Sequence, residues 1–376
     1  MRKHLFLLAC LLVLSSCKND IPPTNEPTNT TTNVSYANGF TIENFDTHKV
    51  LTISNPWPGA DVSYTYLLKK TDAPLESEEN YDATIQIPLE KIVVTSTTHI
   101  PSLEMLQMEN TLVGFPNLDY ISSEKTRRLI TNGNVKELGK NEDINTEVLI
   151  DLHPDAVLTF AVEGGNKSVT TIQKTGIPVL YNADWTETHP LGKAEWIKFF
   201  GALFDKEEEA NRIFSKIVSD YESAQAIAAQ STNKPTVLSG AMYKDIWYLP
   251  QGNSWAAQFI ADANGDYLWS ESEGTGSIAL NLETVLEKGQ NAEFWIGPGQ
   301  FTGLSQMEEY HSVYGEFDAF QNKKVYSFTT KKGSTGGVLY YELAPNRPDI
   351  VLKDIIKILH PELLPDHRLY FFSELE

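Results

Sequence analysis

The stretch from Lys206 to Gln230 reads KEEEANRIFSKIVSDYESAQAIAAQ and contains neither Gly nor Pro. Within it Ala210, Ile213, Phe214, Ile217, Val218, Tyr221, Ala224 and Ala228 recur at helical spacing, and Asp205 stands where a cap would sit. At about 1.5 Å per residue such a helix runs roughly 38 Å. That is longer than the helices that close strand–helix–strand units in a small lobe. The stretch therefore divides the chain, and what lies on its two sides decides the fold.

Upstream, KIVVTS (91–96), TLVGF (111–115), DAVLTFA (155–161) and IPVLYN (177–182) read as buried strands. Helices are expected between them: PSLEMLQMEN (101–110) opened by Pro101, a helix at 146–152 and another around 168–175. Downstream the rhythm restarts with PTVLSGA (235–241), a helix near 253–262, KKVYSF (323–328) and a last helix at 348–359. Strand–helix–strand at this spacing means parallel α/β sheets. Ahead of them, FTIENF (40–45), KVLTIS (49–54) and VSYTYLLKK (62–70), with NPWPGAD (55–61) as a turn, read as a small β extension.

One unit occurs twice. INTEVLIDLHPDAVLTF (144–160) and LNLETVLEKGQNAEFWI (280–296) align without gaps, placing Asn145 over Asn281, Glu147 over Glu283 and Ala156 over Ala292. Sheet packing explains the apolar positions and the alanines, since each copy is a helix leading into a strand. It does not by itself require the glutamates.

The amino terminus, MRKHLFLLACLLVLSSCKND, joins a basic start to an apolar run from Leu5 to Leu14 that is too short to span a bilayer. Leu14-Ser15-Ser16-Cys17 resembles the lipobox of bacterial lipoproteins, which makes 1–16 a signal peptide and Cys17 the lipidated first residue. At about 0.8 kcal/mol per buried methylene, several acyl chains hold a protein stably at a membrane. In residues 17–39, Cys17 is followed by Lys18-Asn19-Asp20 and then by Pro, Thr and Asn, a tether composition. The net charge of −20 argues against nucleic acid and against binding anionic lipid by charge. With Cys10 removed and Cys17 lipidated, no thiol is left for a disulfide or a cysteine metal site.

Taken in order, KIVVTSTTHIPSLEMLQMENTLVGF (91–115), the Glu147 unit and KTGIPVLYN (174–182) resemble the iron-complex and cobalamin class of periplasmic substrate-binding proteins, which serve ATP-binding-cassette importers. The likeness continues through HPLGKAEWIKFFGALFDKEEEA (189–210), QGNSWAAQFIADANGDYLW (251–269) and RPDIVLKDIIKILHPELLPDHRLYFF (347–372), and the last segments resemble Bacteroidota lipoproteins in particular. The resemblance implies two Rossmann-like lobes bridged by one long helix, with ligand in the cleft between them. The expected division is a β extension at 40–84, an N-terminal lobe at 85–205, the connecting helix at 206–230 and a C-terminal lobe at 231–376. It also implies that Glu147 and Glu283 dock onto arginines of a permease dimer. Two lobes related by a pseudo-twofold present two carboxylates to a true twofold, and arginine pairs with carboxylate in bidentate fashion.

Ligands of open α/β sheets meet loops at the carboxyl ends of strands. In the first lobe those loops carry Thr97, Thr98 and His99, then Phe115 and Tyr120, Phe160 and Glu163, and Trp185. In the second they carry Tyr243, Trp247, Tyr248 and Trp255, then Gln300 and Phe301, and Lys331 and Lys332. From these the expected ligand contacts are Thr98, His99, Tyr120, Trp185, Tyr243, Trp247, Tyr248, Trp255 and Phe301, with Trp247 and Trp255 foremost. Aromatic walls suit a large, flat or greasy metal complex. His153, His189, His360, His367 and Arg347 are read as structural.

No Gly-x-Ser-x-Gly elbow, P-loop or His-Glu-x-x-His helix is present, so no catalytic residue is assigned. A free-metal carrier would need three histidines and a carboxylate at the cleft, where only His99 and His189 are available. No resident metal or cofactor is expected. The expected cargo is a ferric siderophore, with cobalamin or haem as alternatives, and the expected partner is the permease of an importer. The chain is expected to be a monomer, lipid-anchored in the cell envelope on the periplasmic side or at the cell surface. At the surface it would hand ligand to an outer-membrane receptor instead.

Overall fold

The structure, a computed structural model, describes residues 32–71, 80–164 and 167–376. Cys17, the leader before it and the Lys18–Asp20 trio lie outside the described residues. Among the described residues no helix is long and apolar enough to cross a membrane.

Two five-stranded sheets dominate. In the first, strands Ile92–Val94, Leu112–Phe115, Lys136–Glu137, Ala156–Thr159 and Val179–Tyr181 are all parallel, with Ile92–Val94 at the centre between Ala156–Thr159 and Leu112–Phe115, and Val179–Tyr181 at one edge. In the second, Asp266–Tyr267, Thr236–Ser239, Phe294–Ile296 and Val325–Ser327 run parallel, and Ser373–Glu374 closes the edge antiparallel. Central strands such as Ile92-Val93-Val94 and Ala156–Thr159 are buried at every position, as strands covered on both faces must be.

The stretch that divides the sequence is a single helix, Glu207–Ala228, lying in the chain between the two sheets. Ala210, Phe214, Ile217, Tyr221, Ala224 and Ala228 form its buried stripe. It packs on Ile197–Phe204 from the first half and Pro348–Leu359 from the second. Three glutamates, Glu207, Glu208 and Glu209, occupy its first turn, where the helix dipole favours negative charge. Asp205 does not cap it. Asp205 takes a left-handed conformation (φ 55°) that ends the preceding helix, and its carboxylate meets the buried Lys49 ammonium at 3.1 Å. Lys49 also pairs with Glu207.

Lys49 belongs to the N-terminal extension. Strands Phe40–Asn44, His48–Ser54 and Ser63–Lys69 form an antiparallel meander, and Ala83–Gln86 adds parallel to the third. Its turn at 55–61 brings Trp57 against Gly164 of the first lobe and edge-on to Tyr181 at 6.4 Å.

The chain enters this layer through two buried carboxylates on neighbouring turns. Glu195, fully buried, accepts from the backbone N–H groups of Ser35, Tyr36 and Ala37 at 2.6–3.1 Å and from Lys198 Nζ at 2.6 Å. Glu187 accepts from the N–H groups of Asn38 and Gly39, each at 2.9 Å, and from the Trp196 indole at 3.1 Å. Together they give every amide from Ser35 to Gly39 a charged acceptor.

Removing one member of a buried charged network leaves the other groups uncompensated, at a cost of about 3–5 kcal/mol. Glu195→Ala is expected to lower the unfolding free energy by about that much. Urea denaturation followed by tryptophan fluorescence measures it; a loss under about 1 kcal/mol would show that the entry segment is not held by this carboxylate.

Candidate functional site

Strand order locates the places where a ligand can enter. In the first sheet, the chain-first strand Ile92–Val94 lies beside the chain-fourth strand Ala156–Thr159, and their crossovers leave in opposite directions. In the second, Thr236–Ser239 lies beside Phe294–Ile296 with the same reversal. Crevices open outside the carboxyl ends of strands at such switch points.

At the second switch point lies a cavity of about 710 Å³. Its floor comes from the strand ends and the turns that follow them, Ser239, Gly240, Ile296 and Gly297. Trp255, Phe259 and Ile260 of helix Trp255–Asp262 form one wall, and Phe301, Phe328, Tyr340 and Phe372 form another. Tyr243, Tyr248, Tyr310 and Tyr341 stand exposed at its rim, and Gln300 and Gln306 add amide groups. None of the lining residues is Asp, Glu, Lys, Arg or His. The arrangement presents apolar ring faces and neutral hydrogen-bonding groups, and no lining side chain carries a charge.

The turn at Gly240 makes the cavity. With φ at +74°, it reverses the chain into an antiparallel hairpin, Ala241–Tyr243 with Ile246–Pro250, whose tip carries Tyr243 over the mouth. A Cβ on Gly240 would lie 1.9 Å from the Tyr248 carbonyl oxygen, so only glycine fits. Two indoles fix this turn from below. Trp247 Nε1 donates to Ser239 O at 3.1 Å, and Trp295 Nε1 donates to Gly240 O at 2.8 Å. Their rings stack at 5.3 Å and are enclosed by Tyr314 and Phe317. The Tyr314 hydroxyl accepts from the Met242 amide at 3.0 Å, and burial pushes its pKa up to about 12.

Of the residues expected to meet ligand, Tyr243, Tyr248, Trp255 and Phe301 come together in this cavity, and Gln300 joins them. Trp247 does not. Its side chain is fully buried behind the hairpin, and what it does is hold the turn. The alternation of IWYLP sends Trp247 inward and Tyr248 outward, a two-residue period that decides which ring faces the cavity.

His99 also lies away from this cavity. It begins helix His99–Met105 and is fully buried, with Phe200 at 5.7 Å between ring centres. Burial drives its pKa down to about 4 against the opposing pull of Asp184. Thr98 and Tyr120 line no part of the cavity and lie instead where the two halves meet. Trp185 is exposed on the first lobe, with its carbonyl accepting from Lys193 Nζ at 2.9 Å. Lys193 sits over the Trp255 ring at 5.3 Å, and burial lowers its pKa to about 8. Phe115 is in the core, and Phe160 and Glu163 line a separate cavity of about 380 Å³ at the first switch point. Lys331 and Lys332 stand away from the aromatic cavity.

Reading from the sequence missed Tyr340 and Tyr341. They lie in VLYYEL (338–343), a short helix well past the strand end at Ser327. The adjacent pair of tyrosines was the available signal. His153 and His189 serve helix ends, one as a left-handed stop and one accepting from the Leu191 amide. Arg347 forks onto Asp349 at 2.8 and 2.9 Å. Among the described residues no group of three or more His, Cys, Asp or Glu side chains could hold a metal ion.

The repeated unit takes the same form twice. Asn145 and Asn281 each cap a helix, accepting from the amide three residues on, and Glu147 and Glu283 are exposed in the first turns of Thr146–Leu152 and Leu282–Gly289. Ala156 and Ala292 are buried in both copies.

Comparison with known proteins agrees with this architecture. A family model described as periplasmic binding protein matches residues 92–331. An uncharacterized lipoprotein of Methanocaldococcus jannaschii is 27% identical over 368 residues, covering 92% of this chain and 86% of its own. Among solved structures, a possible iron-binding (periplasmic solute-binding) protein from Staphylococcus epidermidis superposes with a TM-score of 0.56 at 15% identity. That match covers 73% of this chain and 99% of that one. A periplasmic haem-binding protein of Vibrio cholerae superposes with a TM-score of 0.55 at 16% identity, over 70% and 99%. The β extension precedes the matched residues.

The placement of His99 makes a pH prediction. Its folded pKa of about 4 lies below the ordinary 6.5, so the stability it contributes is present above pH 6.5 and is lost as pH falls toward 4. The shift corresponds to about 3 kcal/mol. Urea midpoints measured from pH 7 to 4 are expected to fall more steeply for the native chain than for His99→Leu. Parallel curves would show that His99 is not buried in its neutral form.

Proposed function

This chain belongs to the periplasmic binding protein family, and from that membership we propose that it captures a ferric siderophore in the aromatic cavity and delivers it to an ATP-binding-cassette permease. Proteins of this kind bind solutes without converting them, so the site has no catalytic role to fill. The observation that carries the choice of ligand is the cavity lining. About 710 Å³ walled by rings and neutral amides, with no charged side chain, suits a chelate that has neutralised its own metal. A ferric trihydroxamate is such a ligand: its charge is balanced internally, and its carbonyl oxygens can accept from tyrosine hydroxyls at the rim. A triply anionic catecholate would bring unpaired charge into an apolar site, where nothing offsets its desolvation.

Cys17 is the lipid anchor in this reading, and the chain acts as a monomer tethered in the envelope through residues 17–39. Glu147 and Glu283 are the docking pair. They are exposed, equivalently placed on capped helix starts, and line no part of the cavity, as suits a pair reserved for a permease dimer. Haem or cobalamin as cargo, and hand-over to an outer-membrane receptor, are the competing outcomes.

Purified protein titrated with the uncharged cyclic chelate ferrioxamine E, ferric enterobactin, haemin and cyanocobalamin, followed by tryptophan quenching, tests the ligand. Ferrioxamine E is expected to bind at least about a hundredfold more tightly than the catecholate complex. Equal or tighter binding of the catecholate would overturn the uncharged-ligand reading, and preferential binding of haemin or cyanocobalamin would replace the cargo. For docking, the double variant Glu147→Ala/Glu283→Ala is expected to abolish uptake of the bound complex by cells while leaving affinity in solution unchanged. Undiminished uptake would remove these glutamates from the permease contact.

A further inference from the structure

Beside the aromatic cavity, the segment 331–346 of the second lobe is stitched to the first lobe. Glu342, on helix Leu339–Leu343, is 2% exposed. One of its carboxylate oxygens accepts from the Ser122 amide at 2.6 Å and the other from the Ser123 amide at 2.9 Å. Ser123 in turn caps helix Glu124–Thr131, and its hydroxyl donates to Glu104. Asn346 donates to the Thr98 carbonyl at 2.9 Å and accepts from the Ser102 hydroxyl at 2.8 Å. The Thr335 hydroxyl donates to the Asp119 carbonyl at 2.8 Å. Backbone meets backbone here: a Cβ on Gly337 would lie 2.4 Å from the Tyr120 carbonyl oxygen.

The same five-residue helix carries Tyr340 and Tyr341, which line the cavity. Tyr340 stacks on Phe328 at 4.3 Å, and the Tyr341 hydroxyl accepts from the Gln300 amide at 3.2 Å. One rigid turn therefore offers two rings to the cavity and one carboxylate to the opposite lobe. A ligand that displaces the Leu339–Leu343 backbone through Tyr340 or Tyr341 shifts Glu342 against the Ser122–Ser123 amides, because all three side chains share one helical turn.

We propose that Glu342 is a positioning residue through which occupation of the aromatic cavity sets the closure of the two lobes. The inference rests on the reading of that cavity as the ligand site, and on nothing about which ligand fills it. The charged groups around the clasp are Glu104 on helix His99–Met105, Glu124 on the next helix, and Lys332, all of which line the small cavity beside Glu342 together with Tyr370. Burial raises the Glu342 pKa to about 7, Glu104 acts in the same direction, and the two amides oppose. Opening the seam would return the carboxyl to water and to its ordinary pKa of 4.5. The clasped state therefore holds the proton more tightly than the open state. Its advantage is full below pH 4.5 and is lost as pH rises through about 7.

The test uses the full mature chain with spin labels on Asp151→Cys and Glu287→Cys, two exposed positions on the outer helices of the two lobes. Interlobe distances are measured by pulsed electron paramagnetic resonance at pH 5.5 and 8.5, without ligand and with the neutral aromatic probe N-phenyl-1-naphthylamine. In the native background the closed-to-open ratio is expected to drop about thirtyfold from pH 5.5 to 8.5. The probe is expected to shift the distance distribution at both pH values. Glu342→Gln is expected to abolish the pH dependence while keeping one distance population dominant. Glu342→Ala is expected to broaden the distances at both pH values and to uncouple them from the probe. Gly337→Ala reaches the seam without altering the carboxylate and is expected to broaden the distances while retaining the pH response. A native pH profile in Glu342→Gln, or an unchanged response to the probe in Glu342→Ala, would overturn the proposal. Because the distances are read without any iron complex, failure of the siderophore reading would leave this outcome intact.

Discussion

A parallel sheet covers the carboxyl ends of its strands with crossovers everywhere except where neighbouring crossovers leave in opposite directions. Both large sheets of this chain are ordered around such a reversal, and the rest of the architecture follows from it. The crevice appears where Thr236–Ser239 meets Phe294–Ile296 because no helix start can occupy that place. Gly240 then folds a hairpin back over the opening, and Trp247 and Trp295 secure that hairpin through their indole N–H groups. Backbone topology sets the position of the cavity; aromatic packing sets its shape.

The second constraint is polar. Chain segments that run across another element must satisfy their amides, and this protein does so repeatedly with buried carboxylates. Glu195 and Glu187 receive the entering strand, Asp354 receives the amides of Tyr370, Phe371 and Phe372, and Glu342 receives those of Ser122 and Ser123. In the first three cases the carboxylate and the amides it receives lie on the same side of the long helix in the chain. Glu342 differs because its amides belong to the opposite lobe.

The sequence was most legible where a single period governed a long segment. The Glu207–Ala228 helix shows its stripe at 3.6-residue spacing, and helices Thr146–Leu152 and Pro348–Leu359 lie where their patterns put them. Asp205 was misleading because a cap residue is also a good helix stop, and the Lys49 charge decided between the roles. Aromatic residues near strand ends were only half legible. Tyr248 and Trp247 are adjacent, and strand alternation turns one to the cavity and the other to the core. Tyr340, Tyr341 and Phe372 reach the cavity through tertiary folding of segments far along the chain, which no local pattern records. His99 followed a strand as a ligand-binding loop residue would, yet the turn after Val94 goes directly into a helix that buries it.

A binding protein that must report its loaded state to a membrane partner needs a contact that spans both lobes and also touches the ligand wall. The long helix cannot supply it, because a stiff element packed on both halves resists movement without sensing the cavity. The exposed pair Glu147 and Glu283 cannot supply it either, since each sits on the outer start of a helix in its own half. The Leu339–Leu343 turn meets both requirements within five residues: Tyr340 and Tyr341 on one side, Glu342 on the other. Its shortness matters, because a longer linkage between ring and carboxylate would absorb the motion it has to transmit.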